Sequence, residues 1–257
     1  MNYIFTQAQD PPKFSQISAK KGIKVFGEKA VAALIKEYQQ LHDKSVFERI
    51  KKEYLTNDIK KKALRAVKIK EKRNGIIKGR TCVDGRPQRR YITPEEASSP
   101  TVSLEAQLST LVIDAHEGRD VAVFDIPGAY LNAYLPESRF EVIKFEGQFA
   151  RIMVQTWPEL EEDIIIKNGI EVIYLCIVKA LYGCIESALM WYEVFKGKLE
   201  GVGFEINPYN KFVANKIVND TQCTITWYVD DAKISHKDRD VVTNIINTLE
   251  EEYGGLK

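Results

Sequence analysis

From Thr224 to Val229 the side chains alternate. Ile225, Trp227 and Val229 are apolar, while Thr224, Thr226 and Tyr228 carry hydroxyls. That period of two predicts a strand buried on one face. Ile234 and Ser235 begin a second strand, so Asp230 and Asp231 fall where one strand turns into the next. Phe212 to Val218 is placed to pair with the first of them. Farther upstream, Asp120 to Asp125 is a short, nearly continuous apolar run of the kind found at a sheet centre. Residues 171–179 read as another strand, with weaker strand signals at 140–145 and 164–167. Leu64–Ile69 and Ile76–Val83 flank Asn74-Gly75, a strong two-residue hairpin signal.

Helical spacing marks the remaining elements. Residues 28–42 place Val31, Leu34, Tyr38 and Leu41 on one face. Thr56-Asn57 caps a helix over about 58–65, and Ser99-Pro100 has the form of a helix start. The stripe after Ser99-Pro100 (Leu104, Leu108, Leu111, Val112, Ala115) is expected to face the core, with Gly118 ending the helix. A helix over about 186–200 turns Ala188, Trp191, Tyr192, Phe195 and Leu199 inward. Asp238 caps a last one with Val242, Ile245, Ile246, Leu249 and Tyr253. Residues 1–24 are polar and proline-interrupted and read as an arm.

At 257 residues the chain can build one large or two small domains. No apolar run approaches the roughly 18 residues of a membrane span, and no signal-peptide pattern opens the chain, so no membrane partner and no secretion are expected. Cys82, Cys176, Cys184 and Cys223 form no C-x-x-C pair and read as buried small hydrophobes in a reducing compartment. The net charge of +1 conceals an asymmetry: residues 1–90 hold 23 Lys and Arg against 9 Asp and Glu, and the rest is acidic. A basic first third suits a polyanion or is simply a solvated lysine-rich surface.

Two adjacent carboxylates at the tip of an apolar hairpin repel one another, and a divalent cation relieves that repulsion. Asp-Asp is also an ordinary turn pair. Asp125 changes the balance. It ends its strand just before Pro127-Gly128, at a strand end where sites in open sheets gather. If the two strands share one sheet, Asp125 meets Asp230 and Asp231. Three carboxylates around one point suit two Mg²⁺ ions (Mn²⁺ as a substitute) and phosphoryl transfer from a nucleotide to a 3′-hydroxyl. The cations around the 72–75 turn, Lys72 and Arg73 with Lys78 and Arg80, suit a triphosphate.

The motifs also resemble a known family. Phe124-Asp125-Ile126-Pro127-Gly128-Ala129-Tyr130-Leu131-Asn132 is similar to the first catalytic motif of copia-type retrotransposon reverse transcriptases. Lys179-Ala180-Leu181-Tyr182-Gly183 with Trp191-Tyr192, the Tyr228-Val229-Asp230-Asp231 box, and the basic stretch Lys78 to Arg86 follow in that family's pattern. The resemblance covers about residues 30–257. It implies an α+β fold, the fingers and ferredoxin-like palm of a right-hand polymerase. The arm would take residues 1–24, the fingers 25–119 and the palm 120–257, with a fingers insertion at about 140–180. It implies RNA-directed DNA polymerase activity with Asp125, Asp230 and Asp231 as catalytic and metal ligands. Tyr130 would stack under the incoming sugar, and Ala129, Lys78, Arg80 and Arg73 would contact the nucleotide. Tyr228, Tyr182 and Gly183 would lie along primer and template. The partners would be an RNA or DNA template–primer and deoxynucleoside triphosphates, in a cytoplasmic virus-like particle or the nucleus.

Two departures stand out. Cys184-Ile185-Glu186-Ser187-Ala188-Leu189 replaces a segment that in the family usually carries a glutamine and two cations. The sequence also ends at Lys257, before the closing palm strand, thumb, RNase H and integrase regions that the resemblance implies. An inactive remnant that only binds nucleic acid is therefore the alternative expectation.

Overall fold

A computed structural model describes residues 16–65, 68–71, 76–97, 99 and 101–256. In chain order the elements are β1 (Gln16–Ser18), α1 (Ala19–Phe26), α2 (Glu28–Asp43), β2 (Phe47–Arg49), α3 (Asn57–Lys62), β3 (Leu64–Arg65), β4 (Lys68–Glu71) and β5 (Ile77–Arg80). Then come α4 (Pro94–Ala97), α5 (Leu104–Glu117), β6 (Asp120–Asp125), β7 (Glu141–Glu146), α6 (Gln148–Thr156), β8 (Ile165–Lys167) and β9 (Ile170–Ile177). The last six are α7 (Ser187–Gly201), β10 (Glu205–Ile206), β11 (Val213–Val218), β12 (Thr221–Tyr228), β13 (Asp231–His236) and α8 (Arg239–Tyr253). The result is a mixed α+β chain. No described helix is long and apolar enough to cross a membrane.

The chain divides into two compact units. The first takes the chain up to Asp84 together with Phe140–Ile177; the second takes Gly85–Arg139 and the chain from Val178 onward. In the first unit β2, β9, β7 and β3 form one sheet, with β8 also on β9, and β1, β4 and β5 form another. Helix α2 buries Ala30, Leu34, Tyr38 and Leu41, and the Tyr38 ring meets Phe145 edge-on at 5.4 Å. Strand β5 lies so close to α2 that a Cβ on Gly79 would come within 2.5 Å of the Ala33 carbonyl oxygen, so only glycine fits there.

In the second unit the sheet order is β10-β11-β12-β13-β6, every neighbouring pair antiparallel. Helices α7 and α8 supply Trp191, Phe195, Leu199, Val242 and Leu249 to a core completed by Phe124, Ile225, Trp227 and Ile234. The rings of Phe195 and Phe212 pack on Trp227 at 5.4 and 5.2 Å.

Several expectations are corrected. Residues 16–24, read as arm, form β1 and most of α1. Ser18 caps α1 by accepting from the Lys21 N–H, and β1 pairs with β4, a partner some fifty residues away that local pattern does not report. The rest of the expected arm, residues 1–15, lies outside the described residues, as do the hairpin tip and Arg73. Helix α6 occupies a stretch read only for strand signals, burying Ala150, Ile152 and Met153. Helix α5 starts at Leu104, capped by Ser103 Oγ on the Ala106 N–H, and not at Ser99.

The stripe on α5 also faces outward. Leu104 is 65% exposed and Val112 68%, with Leu108, Leu111 and Ala115 exposed too, while Thr110 and Asp114 are buried. The cause is long-range: the Lys233 ammonium bonds both Thr110 and the Asp114 carboxylate, which turns the polar side of α5 inward. Of the cysteines, Cys184 and Cys223 are buried but Cys82 and Cys176 only partly so.

Candidate active site

Asp125 stands directly opposite Asp231 in the β13–β6 register. Such partners have Cα atoms about 4.5–5.5 Å apart and project their side chains to one face. Pro127 cannot extend the ladder, and Gly128 turns the chain at φ +63°, so β6 stops at the carboxylate. The Ile126 N–H then donates to the Asp230 carbonyl at 2.8 Å, tying the end of β6 to the hairpin.

The hairpin itself is strained. Tyr228 and Asp231 are register partners, so the turn holds only Val229 and Asp230. Val229 has φ +56°, a region β-branched residues avoid, while Asp230 is not among the positive-φ residues. Positive φ at the first central residue alone is the type II′ pattern, whose twist suits a tight hairpin. What holds valine there is a side chain from α7: Trp191 Nε1–H donates to the Val229 carbonyl at 2.6 Å. The sequence pattern placed Trp191 in the core but gave no sign of this bond.

Three tyrosines gather beside the turn. The Tyr130 and Tyr182 rings lie 4.7 Å apart at 53°. Burial raises the Tyr130 phenol above the ordinary tyrosine value, and the nearby Tyr182, Asp230 and Tyr228 push it further. Tyr228 is half exposed. Ala129, one residue before Tyr130, is wholly buried in the core. Gly183 is exposed at φ +94°, and its carbonyl oxygen lies where a Cβ on Gly85 would come within 2.2 Å, so the 85–88 turn crosses the chain tightly there.

Electrostatically the aspartate pair is bare. Lys233, two residues beyond Asp231 and on the same face, is committed to Asp114. Asp125 and Asp231 make no ion pair among the described residues. Like charges facing each other across a ladder destabilise it, so this arrangement serves no structural end. The two opposed carboxylates fit a hard cation that completes its shell with water and phosphate oxygens, as Mg²⁺ does. A closed cage is not formed: among the described residues, no three carboxylate, histidine or cysteine side chains are gathered to hold one ion.

Other expected residues lie on other elements. Lys78 and Arg80 lie on β5 in the first unit, flanking Gly79 and opposite Lys70 and Lys68 of β4. There Glu37 accepts from the Thr81 N–H at 2.7 Å; burial raises its carboxyl even though Arg80 and Lys78 pull the other way. In the departing segment Ser187 Oγ bonds both the Leu181 N–H and its carbonyl, fixing the loop that carries Tyr182. Buried Glu186 lies 3.7 Å from Arg139, which also pairs with Glu96.

The sequence profile of a family described as reverse transcriptase (RNA-dependent DNA polymerase) matches residues 44–255, most of the chain.

Proposed function

The chain belongs to the reverse transcriptase family, and on that premise we propose that it is the polymerase module of a copia-type element, extending a primer 3′-hydroxyl on an RNA or DNA template. The observation that carries this reading is the Asp125–Asp231 pair, opposed in register and without cationic partners among the described residues, at a hairpin tip held by Trp191. Carboxylates so placed lower the stability of the ladder and are useful only to something positive that arrives later.

In this reading residues 25–119 serve as fingers and 120–257 as palm, with a fingers insertion at about 140–180. The primer O3′ attacks the α-phosphorus of a deoxynucleoside triphosphate, the bond to the bridging oxygen breaks, and pyrophosphate leaves. Asp125, Asp230 and Asp231 would hold two Mg²⁺ ions, to acidify the 3′-hydroxyl and offset charge on the leaving group. Tyr130, braced by Tyr182, sits under the incoming sugar and leaves no room for a 2′-hydroxyl. Tyr228 lies beside the primer end. By family likeness alone, Lys78, Arg80 and Arg73 are assigned to the triphosphate.

Primer extension on an RNA template tests the assignment. Asp230→Asn should lower the rate roughly 10²–10³-fold, the scale on which one electrostatic contact to a transition state acts, with the thermal midpoint unchanged. Equal rates in the two proteins would remove the site.

A second reading, a remnant that binds nucleic acid without catalysis, is favoured by the ungathered carboxylates and by Glu186 in a segment where the family usually carries cations. It predicts salt-sensitive binding with no Mg²⁺-dependent extension.

A further inference from the structure

Helix α5 is tied to the second unit's sheet by polar bonds. Thr110 and Asp114 are its buried residues, and both are held by the Lys233 ammonium of β13. Arg119, just past its C-terminal end, adds a bond to Thr224 of β12. A helix of this length ordinarily draws its stability from an apolar face laid on a core. The apolar face of α5 is turned to solvent instead: Leu104 is 65% exposed, Leu108 53%, Leu111 49% and Val112 68%.

The spacing of that face shows what it fits. Leu104, Leu108, Leu111 and Ala115 follow at intervals of four, three and four. That is the repeat by which one helix seats its side chains between those of another. The seam also has a direction on the fold. Ala106, Ser109 and Ile113 lie on the side of α5 toward β11 and β12, and at 3.6 residues per turn the seam takes the opposite flank. That flank looks toward β6, the edge strand beyond β13. Val121 and Val123 are register partners of Ser235 and Lys233, so they point to the face that carries α5, and they are 42% and 70% exposed. Helix and strand share an apolar surface on the order of several hundred Å², the size at which an uncovered patch marks an interaction site. A stable interface takes roughly 800 Å² from each partner, so the surface is of the right order for one.

Run head to tail, the seam is its own complement. About a two-fold axis between Leu108 and Leu111, Leu104 meets Ala115 of the second copy, a large side chain against a small one, and Leu108 meets Leu111. Glu105, in the first turn, comes beside His116 in the last turn of the second copy, a carboxylate beside an imidazole, and both are exposed. The two helix dipoles then oppose each other, which is favourable. A parallel pair would set Glu105 against its own copy and align the dipoles. The chemistry of the seam therefore selects a second copy of this chain, antiparallel.

We infer that the chain self-associates as a symmetric dimer through α5, its Leu104, Leu108, Leu111 and Ala115 seam paired antiparallel with the same seam of a second copy, above Val121 and Val123. The dimer needs nothing from the polymerase reading and stands or falls without it.

Sedimentation equilibrium on the full chain tests it. The mass should rise from the 29.4 kDa of one chain toward twice that as concentration increases through the micromolar range. Leu108→Glu puts a charge in the seam at a position exposed in the monomer. It should weaken association at least tenfold and leave the thermal midpoint of the dilute protein unchanged. Cysteine crosslinking reads the direction of the seam. On mild oxidation, a mixture of Leu104→Cys and Ala115→Cys chains should form a disulfide between the two new positions, mapped by mass spectrometry. Leu104→Cys alone should not join to itself at that position, because its two copies lie about 16 Å apart along an antiparallel pair. The inference is overturned if the chain stays monomeric or if Leu108→Glu associates as the parent does. It is overturned too if Leu104→Cys joins to itself, or if the mixture forms no bond between positions 104 and 115.

Discussion

Ile225, Trp227, Ala232 and Ile234 point from β12 and β13 to one face of the five-stranded sheet; Thr224, Thr226, Asp231 and Lys233 point to the other. The same strands therefore make two surfaces of opposite character. On the first, α7 and α8 close a dry aromatic core in which Trp227 is 2% exposed. On the second, α5 is held by one ammonium and one guanidinium, from Lys233 and Arg119, and the carboxylates of Asp125 and Asp231 face one another. The dry face stabilises the fold through area and dispersion, which are non-directional. The polar face contributes less because each bond replaces one to water. Separating the two lets the aspartates repel without unfolding the sheet that carries them.

Trp227→Ala strikes the dry face and should cost about 3–5 kcal/mol of stability, as truncation of a buried aromatic does; denaturant unfolding measures it. Lys233→Met strikes the polar face, leaving Asp114 with no ammonium, and should cost about 2 kcal/mol, the scale of a hydrogen bond to a charged group. If the second loss equals the first, the two faces hold the sheet equally and the contrast drawn here fails. The sharpest probe is a pair of tryptophans. Trp191 Nε1–H is bonded to Val229, whereas Trp227 Nε1 has no hydrogen-bond partner among the described residues. Trp191→Phe should therefore cost about 1 kcal/mol more than Trp227→Phe, and it alone should slow primer extension, because only Trp191 holds the turn beside the aspartates.

How far the sequence foretold this depends on the range of the force involved. Period-two alternation located β12, but the turn after it is Val229-Asp230 and not Asp-Asp, Asp231 being already in β13. The opposition of Asp125 and Asp231 needed only that β6 and β13 be neighbours. The outward stripe of α5 was not legible, because its orientation is set by Lys233, more than a hundred residues away. A count of alternate positions past Asp231 puts Lys233 on the aspartates' face, and that was the one available signal. The strand β1 was missed for the same reason, its partner β4 being distant. Ser103, which caps α5, lies four positions past the expected start at Ser99, so that boundary was misplaced even though the cap is a local feature. The roles of Lys78 and Arg80 rest on family likeness, since both lie in the first unit while the aspartates lie in the second.

The bond from the Trp191 indole to the Val229 carbonyl makes the protein its own optical instrument. Indole emission responds to changes at its N–H, and this N–H is bonded one residue before Asp230. Anything that drew the carboxylates toward a newly arrived charge would tug on that bond. Intrinsic fluorescence, corrected against a Trp191→Phe protein to subtract Trp157 and Trp227, would thus follow loading of the hairpin tip without any attached label.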